Sequence, residues 1–391
     1  MTRAEGSPGC RLCGHPLGGK PLLIQGDMPA AAQCLPTAEQ VADDRGVALS
    51  LHQCDGCGLV QLDTSPVPYW REVIRATGLS PSMRSFRLAQ LTAWVRDHHL
   101  AGRKVLEVGC GRGEYLALLA ETGAEAQGIE YGTDSVAACT AAGMRVERGF
   151  IEGPGFTVEG SPFAAFTMFN VLEHLPSPGR VLAGISAQLA DDAVGLVEVP
   201  NFDMILRQGL FAEFIADHLL YFTQSTLVRM LETSGFEVRS CTPVWHDYIL
   251  SAVVAKRQRL DVSRLVAGQH AAAAAFARFL AGFGDRGVAV WGAGHQALAL
   301  LSLMGISDRI RYVVDSAPFK QGRFTPATHV PIVAPERLDQ CDVAAVIVLA
   351  ASYTEEVVGL IRSRYAGRFT VASMTDGGLK VVLNGTGNQI H

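Results

Sequence analysis

Lys104-Val-Leu-Glu-Val-Gly-Cys-Gly-Arg-Gly-Glu-Tyr115 is the stretch that decides the fold of this chain. Val105, Leu106 and Val108 read as a short buried strand, and Gly109, Gly111 and Gly113 as a tight turn. Tyr115 to Glu121 reads as the helix that follows. Glycines at alternate positions let the backbone approach a ligand closely, because no Cβ intervenes. The next strand, Ala126–Ile129, runs into Glu130. A carboxylate there is placed to accept hydrogen bonds from both hydroxyls of a ribose. Glu107, on the first strand just before the turn, favours a ligand that carries positive charge. A dinucleotide would set its pyrophosphate at that helix start, where an acid is unwelcome.

This arrangement resembles the class I S-adenosylmethionine (SAM)-dependent methyltransferases. The resemblance implies a Rossmann-like α/β core and a SAM site built on Glu107, Gly109, Gly111, Gly113, Tyr115 and Glu130. The chain around the loop supports it, for strands and helices alternate from Arg103 onward. They fall at Val105–Val108, Tyr115–Glu121, Ala126–Ile129, Ser135–Ala142, Phe163–Asn170, Val181–Leu189 and Ala193–Val199. Such alternation predicts a mainly parallel sheet covered by helices on both faces. A helix at Thr226–Thr233 and strands near Phe236–Cys241 and Ile249–Ala255 complete it. Before it, Tyr69 to His99 carries helical periodicity, with Met83, Phe86, Leu88, Leu91, Trp94 and Val95 on the apolar side. The third strand ends Phe169-Asn-Val-Leu-Glu-His-Leu175. Ligands sit at the carboxyl ends of such strands, which brings Asn170, Glu173 and His174 beside the loop. In the methyltransferases a similar Glu-His-Leu lines the cofactor pocket.

The chain has 391 residues, a formal net charge of −5, 48% hydrophobic and 18% charged residues. That length is enough for two or three domains. The charge balance leaves no broad basic surface for nucleic acid or an anionic membrane. No apolar run approaches the roughly 20 residues that span a bilayer, and no signal peptide is recognisable. A cytoplasmic protein is expected.

Nine cysteines without an export signal argue against disulfides. Four of them form two knuckles, Cys10-Arg-Leu-Cys13-Gly14 and Cys54-Asp-Gly-Cys57-Gly58. A two-residue spacer lets both thiolates of a knuckle reach one ion, and two knuckles make a closed tetrahedral site for structural zinc. Cys34, between them, reads as a small buried residue. Leu59–Leu62 is expected to be a strand that closes this module, and Thr64-Ser-Pro-Val-Pro68 marks the linker after it. A second alternation follows an alanine-rich connecting helix, His270–Gly282. It comprises Val288-Ala-Val-Trp-Gly292-Ala-Gly294, Tyr312-Val-Val-Asp315, the strand Val343–Leu349 and the helix Thr354–Tyr365. Gly292, Gly294 and Asp315 fit either a nucleotide site or a scaffold that keeps its turn glycines for geometry. The expected divisions are therefore a zinc-binding module at 1–68, a methyltransferase domain at 69–257 and a C-terminal Rossmann-like domain at 258–391.

Phe211-Ala-Glu-Phe-Ile-Ala-Asp-His-Leu-Leu-Tyr-Phe-Thr223 is expected to reach over the pocket. With the two knuckles, the SAM loop and the second Rossmann-like unit, it makes nearly the whole chain similar to the three-domain sugar C-methyltransferases. Those enzymes act on nucleotide-linked ketodeoxysugars in antibiotic pathways. The resemblance implies a small-molecule acceptor and places the chemistry on Asp217 and His218. His218 would remove the α-proton of a ketone as general base, while Asp217 orients it or contacts the acceptor. Adjacent residues do not face each other on a helix, so an irregular backbone is expected here. Tyr221 fits either a share in the chemistry or a half-buried aromatic whose hydroxyl is satisfied. The chain departs from the family by Asp217 where glutamate is usual and by Ile215 where a tyrosine is common. A further family tyrosine is missing near Arg75-Ala-Thr77, and His246-Asp-Tyr-Ile-Leu-Ser251 matches the family's acceptor-binding segment poorly. An O- or N-methyltransferase, or an inactive scaffold that retains the fold, stands open beside this reading.

Overall fold

A computed structural model describes residues 9–72, 79–375 and 378–385. The chain divides into two compact units, Met1–Gln258 and Arg259–His391. The first unit holds two sheets. The smaller joins β1 (Leu23–Met28), β2 (Val47–Gln53) and β3 (Val60–Leu62) as an antiparallel set. Helix α1 (Pro81–Asp97) then leads into the larger sheet. Its strands and helices run β4 (Lys104–Val108), α2 (Glu114–Glu121), β5 (Glu125–Glu130), α3 (Thr133–Ala141), β6 (Val146–Arg148), β7 (Phe163–Phe169), α4 (Pro178–Ala187) and β8 (Leu189–Pro200). After β8 come α5 (Phe202–Gln208), β9 (Leu220–Tyr221), α6 (Gln224–Thr233), β10 (Phe236–Val244) and β11 (Ile249–Lys256).

The large sheet has the order β10-β11-β8-β7-β4-β5-β6. It is parallel from β6 to β8; β11 runs antiparallel to β8, and β10, antiparallel to β11, returns to the common direction. This is the class I methyltransferase order, in which the strands wind outward from β4 to β6 on one side and from β7 outward on the other. Central strands of such a sheet are apolar on both faces, and all seven residues of β7 are buried. One face packs under α4 and α6 through Phe166, Leu182, Ile185, Leu227 and Phe236. The other packs under α1 and α2 through Leu91, Trp94, Leu118 and Leu119.

Two expectations are corrected here. The helix expected over Tyr69–His99 occupies only Pro81–Asp97. Ser80 caps it by accepting from the Met83 amide, and Pro81 opens it. The Arg75–Thr77 departure lies outside the described residues. The strand expected to close the cysteine module does not end it, because β9 pairs antiparallel with β3 on its far side. Val60 faces Tyr221 and Gln61 faces Leu220. The module is thereby continuous with the segment that carries Asp217 and His218.

Helix α1 buries a charge. The Arg87 side chain is 1% exposed, and its Nη1 donates to Glu198 Oε2 at 2.5 Å. The Gln90 amide donates to the other Glu198 oxygen and to Ser251 Oγ. The guanidinium also lies 4.4 Å from the Tyr115 ring centroid and 4.3 Å from that of Phe169. A dry ion pair breaks even with an apolar contact only when its remaining bonds are filled; both Glu198 oxygens are, while Arg87 Nε has no hydrogen-bond partner.

The second unit consists of α7 (Ser263–Ala281), β12 (Val288–Trp291), α8 (His295–Leu303), β13 (Ile310–Val314), β14 (Ile332–Val333), β15 (Ala345–Val348), α9 (Thr354–Tyr365), β16 (Thr370–Thr375) and β17 (Gly378–Leu383). Its mixed sheet runs β14-β13-β12-β15-β16-β17, parallel except for β17. The turn after β12 is explained by packing. Gly292 has φ +115°, and a Cβ there would meet the Leu349 carbonyl oxygen at 2.5 Å. The Asp315 carboxylate accepts from the Ala293 and Ala317 amides and from Lys320, which together hold its pKa below the ordinary value. No helix among the described residues is long and apolar enough to cross a membrane.

Replacing Arg87 with methionine strands the Glu198 carboxylate in the core, and the expected loss is about 3–5 kcal/mol. Urea unfolding measures it, and the Arg87→Met/Glu198→Gln double variant should recover part of the loss.

Candidate active site

The glycine turn between β4 and α2 is pinned from the neighbouring strand. Glu130 ends β5, and its Oε2 accepts from the Gly111 amide at 2.9 Å while its Oε1 accepts from the Gly132 amide at 2.8 Å. One carboxylate therefore joins the two loops that follow adjacent strands. Gly111 takes φ +55° with nothing near the place of a Cβ, which leaves its backbone accessible. Gly113, at φ +86°, caps α2, and a side chain there would collide with Met144.

Gly109, Glu130, Asn170 and His174 line one cavity at the carboxyl ends of β4, β5 and β7. All four are expected from the sequence; Trp70, Arg71, Tyr131 and Phe150, which line the same cavity, are not. Trp70 meets Phe150 edge-on at 5.1 Å, and the Arg71 guanidinium lies 4.4 Å from the Trp70 centroid. An aromatic wall beside the Glu130 carboxylate is a surface of the kind that suits an adenosine. Its one legible signal was Tyr69-Trp70 just after the proline-rich linker, and the helical pattern obscured it. Glu107 is buried at 3% exposure within β4. Tyr115 does not line the cavity, since it packs edge-on against Phe169 beneath Arg87. Glu173 lies behind His174, 1% exposed.

The segment from Phe211 to Leu219 is irregular, as expected, and is held by bonds to other elements. Asp217 Oδ1 accepts from the Tyr69 hydroxyl at 2.8 Å, and Oδ2 accepts from the Ala32 amide at 2.9 Å. Burial, with Asp217 adding to it, pushes the Tyr69 hydroxyl up to about 12. The Asp217 carbonyl oxygen lies 2.8 Å from His174 Nδ1. A carbonyl only accepts, so Nδ1 carries the proton and Nε2 keeps its lone pair. The Leu219 amide donates to the Glu173 carbonyl, which sets His218 beside His174, although His218 is not among the residues that line the cavity. The His218 and His174 rings are 4.8 Å apart at 69°. Burial, reinforced by His174, lowers the His218 pKa to about 3. Burial alone drives the Glu173 carboxyl up to about 8. The Tyr221 ring is buried, and its hydroxyl both accepts from and donates to the backbone of Ile215. The satisfied-aromatic alternative describes that geometry.

The four knuckle cysteines converge. Their sulfurs all lie within 4.8 Å of one another, with Cys10–Cys57 at 3.4 Å and Cys13–Cys54 at 3.6 Å. Tetrahedral ligation at about 2.3 Å sets sulfurs about 3.8 Å apart, so the cluster fits one ion. Cys34, expected to be buried, is exposed instead. The poorly matching segment after β10 is a turn in which Trp245, His246 and Asp247 all have positive φ. The Asn201 side chain ties it to the start of α5 and the Arg207–Asp247 pair to its end.

Residues 83–241 match the family described as a methyltransferase domain, and residues 269–372 match the C-methyltransferase C-terminal domain. The chain is a SAM-dependent methyltransferase. The C-methyltransferase NovU of Streptomyces niveus is 26% identical over 391 residues, covering 89% of this chain and 91% of that one. The ubiquinone biosynthesis O-methyltransferase of Burkholderia multivorans is 30% identical over 156 residues, 37% of this chain and 66% of that enzyme. A solved SAM-dependent methyltransferase from Clostridium acetobutylicum has a TM-score of 0.38 at 10% identity, over 44% of this chain and 92% of that chain. A small-molecule methyl acceptor follows from the C-methyltransferase family.

Glu130 both braces two loops of this methyltransferase and lines the cavity at the strands' carboxyl ends. Glu130→Ala should therefore weaken SAM binding by about 1.5–3 kcal/mol, roughly 10–100-fold. Isothermal titration measures the loss, and unchanged affinity would move the ribose elsewhere.

Proposed function

We propose that this methyltransferase methylates the carbon beside a ketone in an enolisable small molecule, of the class of nucleotide-linked ketodeoxysugars, with His218 as general base. The observation that carries the reading is a half-buried imidazole set against the ring of His174, which itself lines the cofactor cavity. The matched C-methyltransferase C-terminal domain supports carbon as the nucleophile.

Carbon beside a ketone attacks only after losing a proton. Burial keeps His218 neutral, so its lone pair is available throughout the physiological range. The imidazolium formed by proton transfer is costly in a dry site unless it faces the enolate, which ties deprotonation to the presence of the acceptor. Bound SAM supplies an electrophilic methyl on a sulfonium. Gly109, Glu130 and Asn170 are assigned to hold it, with Trp70 and Phe150 against the adenosine and Glu107, Gly111 and Gly113 shaping the loop. Asp217 acts as a positioning residue, its carboxylate spent on Ala32 and Tyr69. Tyr221 holds the Ile215 turn. Within the first compact unit we assign 1–68 as a zinc-binding module and 69–257 as the methyltransferase domain, with 258–391 as the C-terminal domain. The four cysteines take one structural Zn2+. Four thiolates leave no open position, so the ion serves the fold and not the chemistry.

Nucleoside-diphosphate ketodeoxysugars incubated with SAM and protein should gain one methyl by mass. In deuterated water without SAM, their α-proton should exchange. Methyl gain without exchange would point to oxygen or nitrogen as the nucleophile. His218→Asn should slow turnover by roughly 10²–10⁴-fold with SAM affinity intact, and near-normal turnover would remove His218 as base. Chelating the cysteine-bound ion should reduce turnover more than SAM affinity, because the cysteine module braces the Asp217–His218 segment and not the glycine loop. Equal losses of both would refute that bracing role.

A further inference from the structure

Glu173 is the one acid in the site whose structural surroundings leave it unexplained. Its side chain is 1% exposed, and neither carboxylate oxygen has a hydrogen-bond partner. Buried carboxyls are ordinarily hydrogen-bonded, paired with a cation or bound to a metal ion. Around this one stand two imidazoles. His174 Nε2 lies 3.9 Å from Glu173 Oε1, and the ligand atoms of Glu173, His174 and His218 all fall within 4.8 Å of one another.

The second observation is the direction of His174. Its Nδ1 is committed to the Asp217 carbonyl at 2.8 Å. Metal-bound histidines typically donate their second ring nitrogen to a carbonyl or carboxylate, which fixes the tautomer and aims the lone pair. Here that lone pair is on Nε2, on the side of Glu173. Ligand distances of about 2.0–2.2 Å require donors no more than about 4.4 Å apart. Side-chain adjustments of about half an ångström would close the set.

We propose that Glu173, His174 and His218 form a binding site for a divalent transition-metal cation, distinct from the cysteine cluster. Two imidazoles and one carboxylate select Zn2+, Co2+ or Fe2+ over Mg2+ and Ca2+, which prefer oxygen donors. The consequence for turnover rests on the base assignment given above. An ion that takes the His218 lone pair removes the base, so cation binding and deprotonation of the acceptor exclude each other. The site is then a metal-sensitive brake on methyl transfer.

The test titrates the full-length, zinc-saturated protein with CoCl2 and follows visible absorption. One further equivalent of Co2+ is expected, with the d–d bands of nitrogen and oxygen ligation and without the thiolate charge-transfer band that cobalt at the cysteines would give. Glu173→Gln should weaken this binding by more than roughly 100-fold, since losing an outer partner alone costs about 10–100-fold. Its zinc content and SAM affinity should match the unmodified protein, which verifies the fold. His174→Gln is the second variant, and its Co2+ affinity should fall by a similar factor with its zinc content unchanged. No second equivalent in the unmodified protein overturns the site, as does equal affinity in a folded Glu173→Gln protein. Turnover with a nucleoside-diphosphate ketodeoxysugar separates the two readings. Loss of turnover as cobalt fills the site supports the brake. Undiminished turnover with the ion bound leaves the cation site standing and removes His218 as base.

Discussion

The pairing of β3 with β9 is the constraint on which the site depends. The segment that bears Asp217 and His218 has no regular structure of its own, so its conformation must come from what it touches. β9 fixes its exit by joining the sheet of the cysteine module. Asp217 fixes its middle by accepting from Ala32 and Tyr69, which flank that module's strands. The Leu219 amide and the Asp217 carbonyl fix it to Glu173 and His174 on the methyltransferase side. His218 is therefore gripped between two sheets. A cysteine cluster far from the glycine turn in sequence thus bears directly on the placement of His218.

The same economy recurs at the cofactor loop. Glu130 reads in isolation as a ribose ligand, yet both of its oxygens already hold backbone amides. A carboxylate so occupied still offers further lone pairs to hydroxyls, and it arrives with its orientation settled. Beneath the loop, Arg87 and Glu198 lock α1 to β8 through a desolvated pair roofed by Tyr115 and Phe169. Tyr115 serves this layer, which is why a residue at the start of α2 faces away from the ligand side.

Local signals made much of this legible. The β4–turn–α2 unit lies within a dozen residues, and hydrophobic runs with glycine punctuation specify it without help from elsewhere. The helix Thr354–Tyr365 was legible for the same reason, and the two cysteine knuckles carry their own spacing rule. Residues whose role depends on distant partners were not legible. Arg87 interrupts an apolar stripe, and only Glu198, brought to it by the sheet, shows why. Tyr69 and Trp70 continued a helical pattern until Pro81 and Ser80 set the true start, which released both side chains into the site. Leu220 and Tyr221 are too short a strand to be recognised without the edge of β3 waiting for them.

That edge has a consequence for how the chain is made. β3 is synthesised early, while its partner emerges only after the whole run from β4 to α5. Until then Val60, Gln61 and Leu62, all buried in the finished protein, present an unpaired strand edge of the kind that templates wrong pairings. The N-terminal module cannot mature first and wait, as an independent domain would during synthesis. Chains interrupted anywhere before Leu220 should therefore be sticky and short-lived, and the nascent protein depends on rapid completion of its first unit.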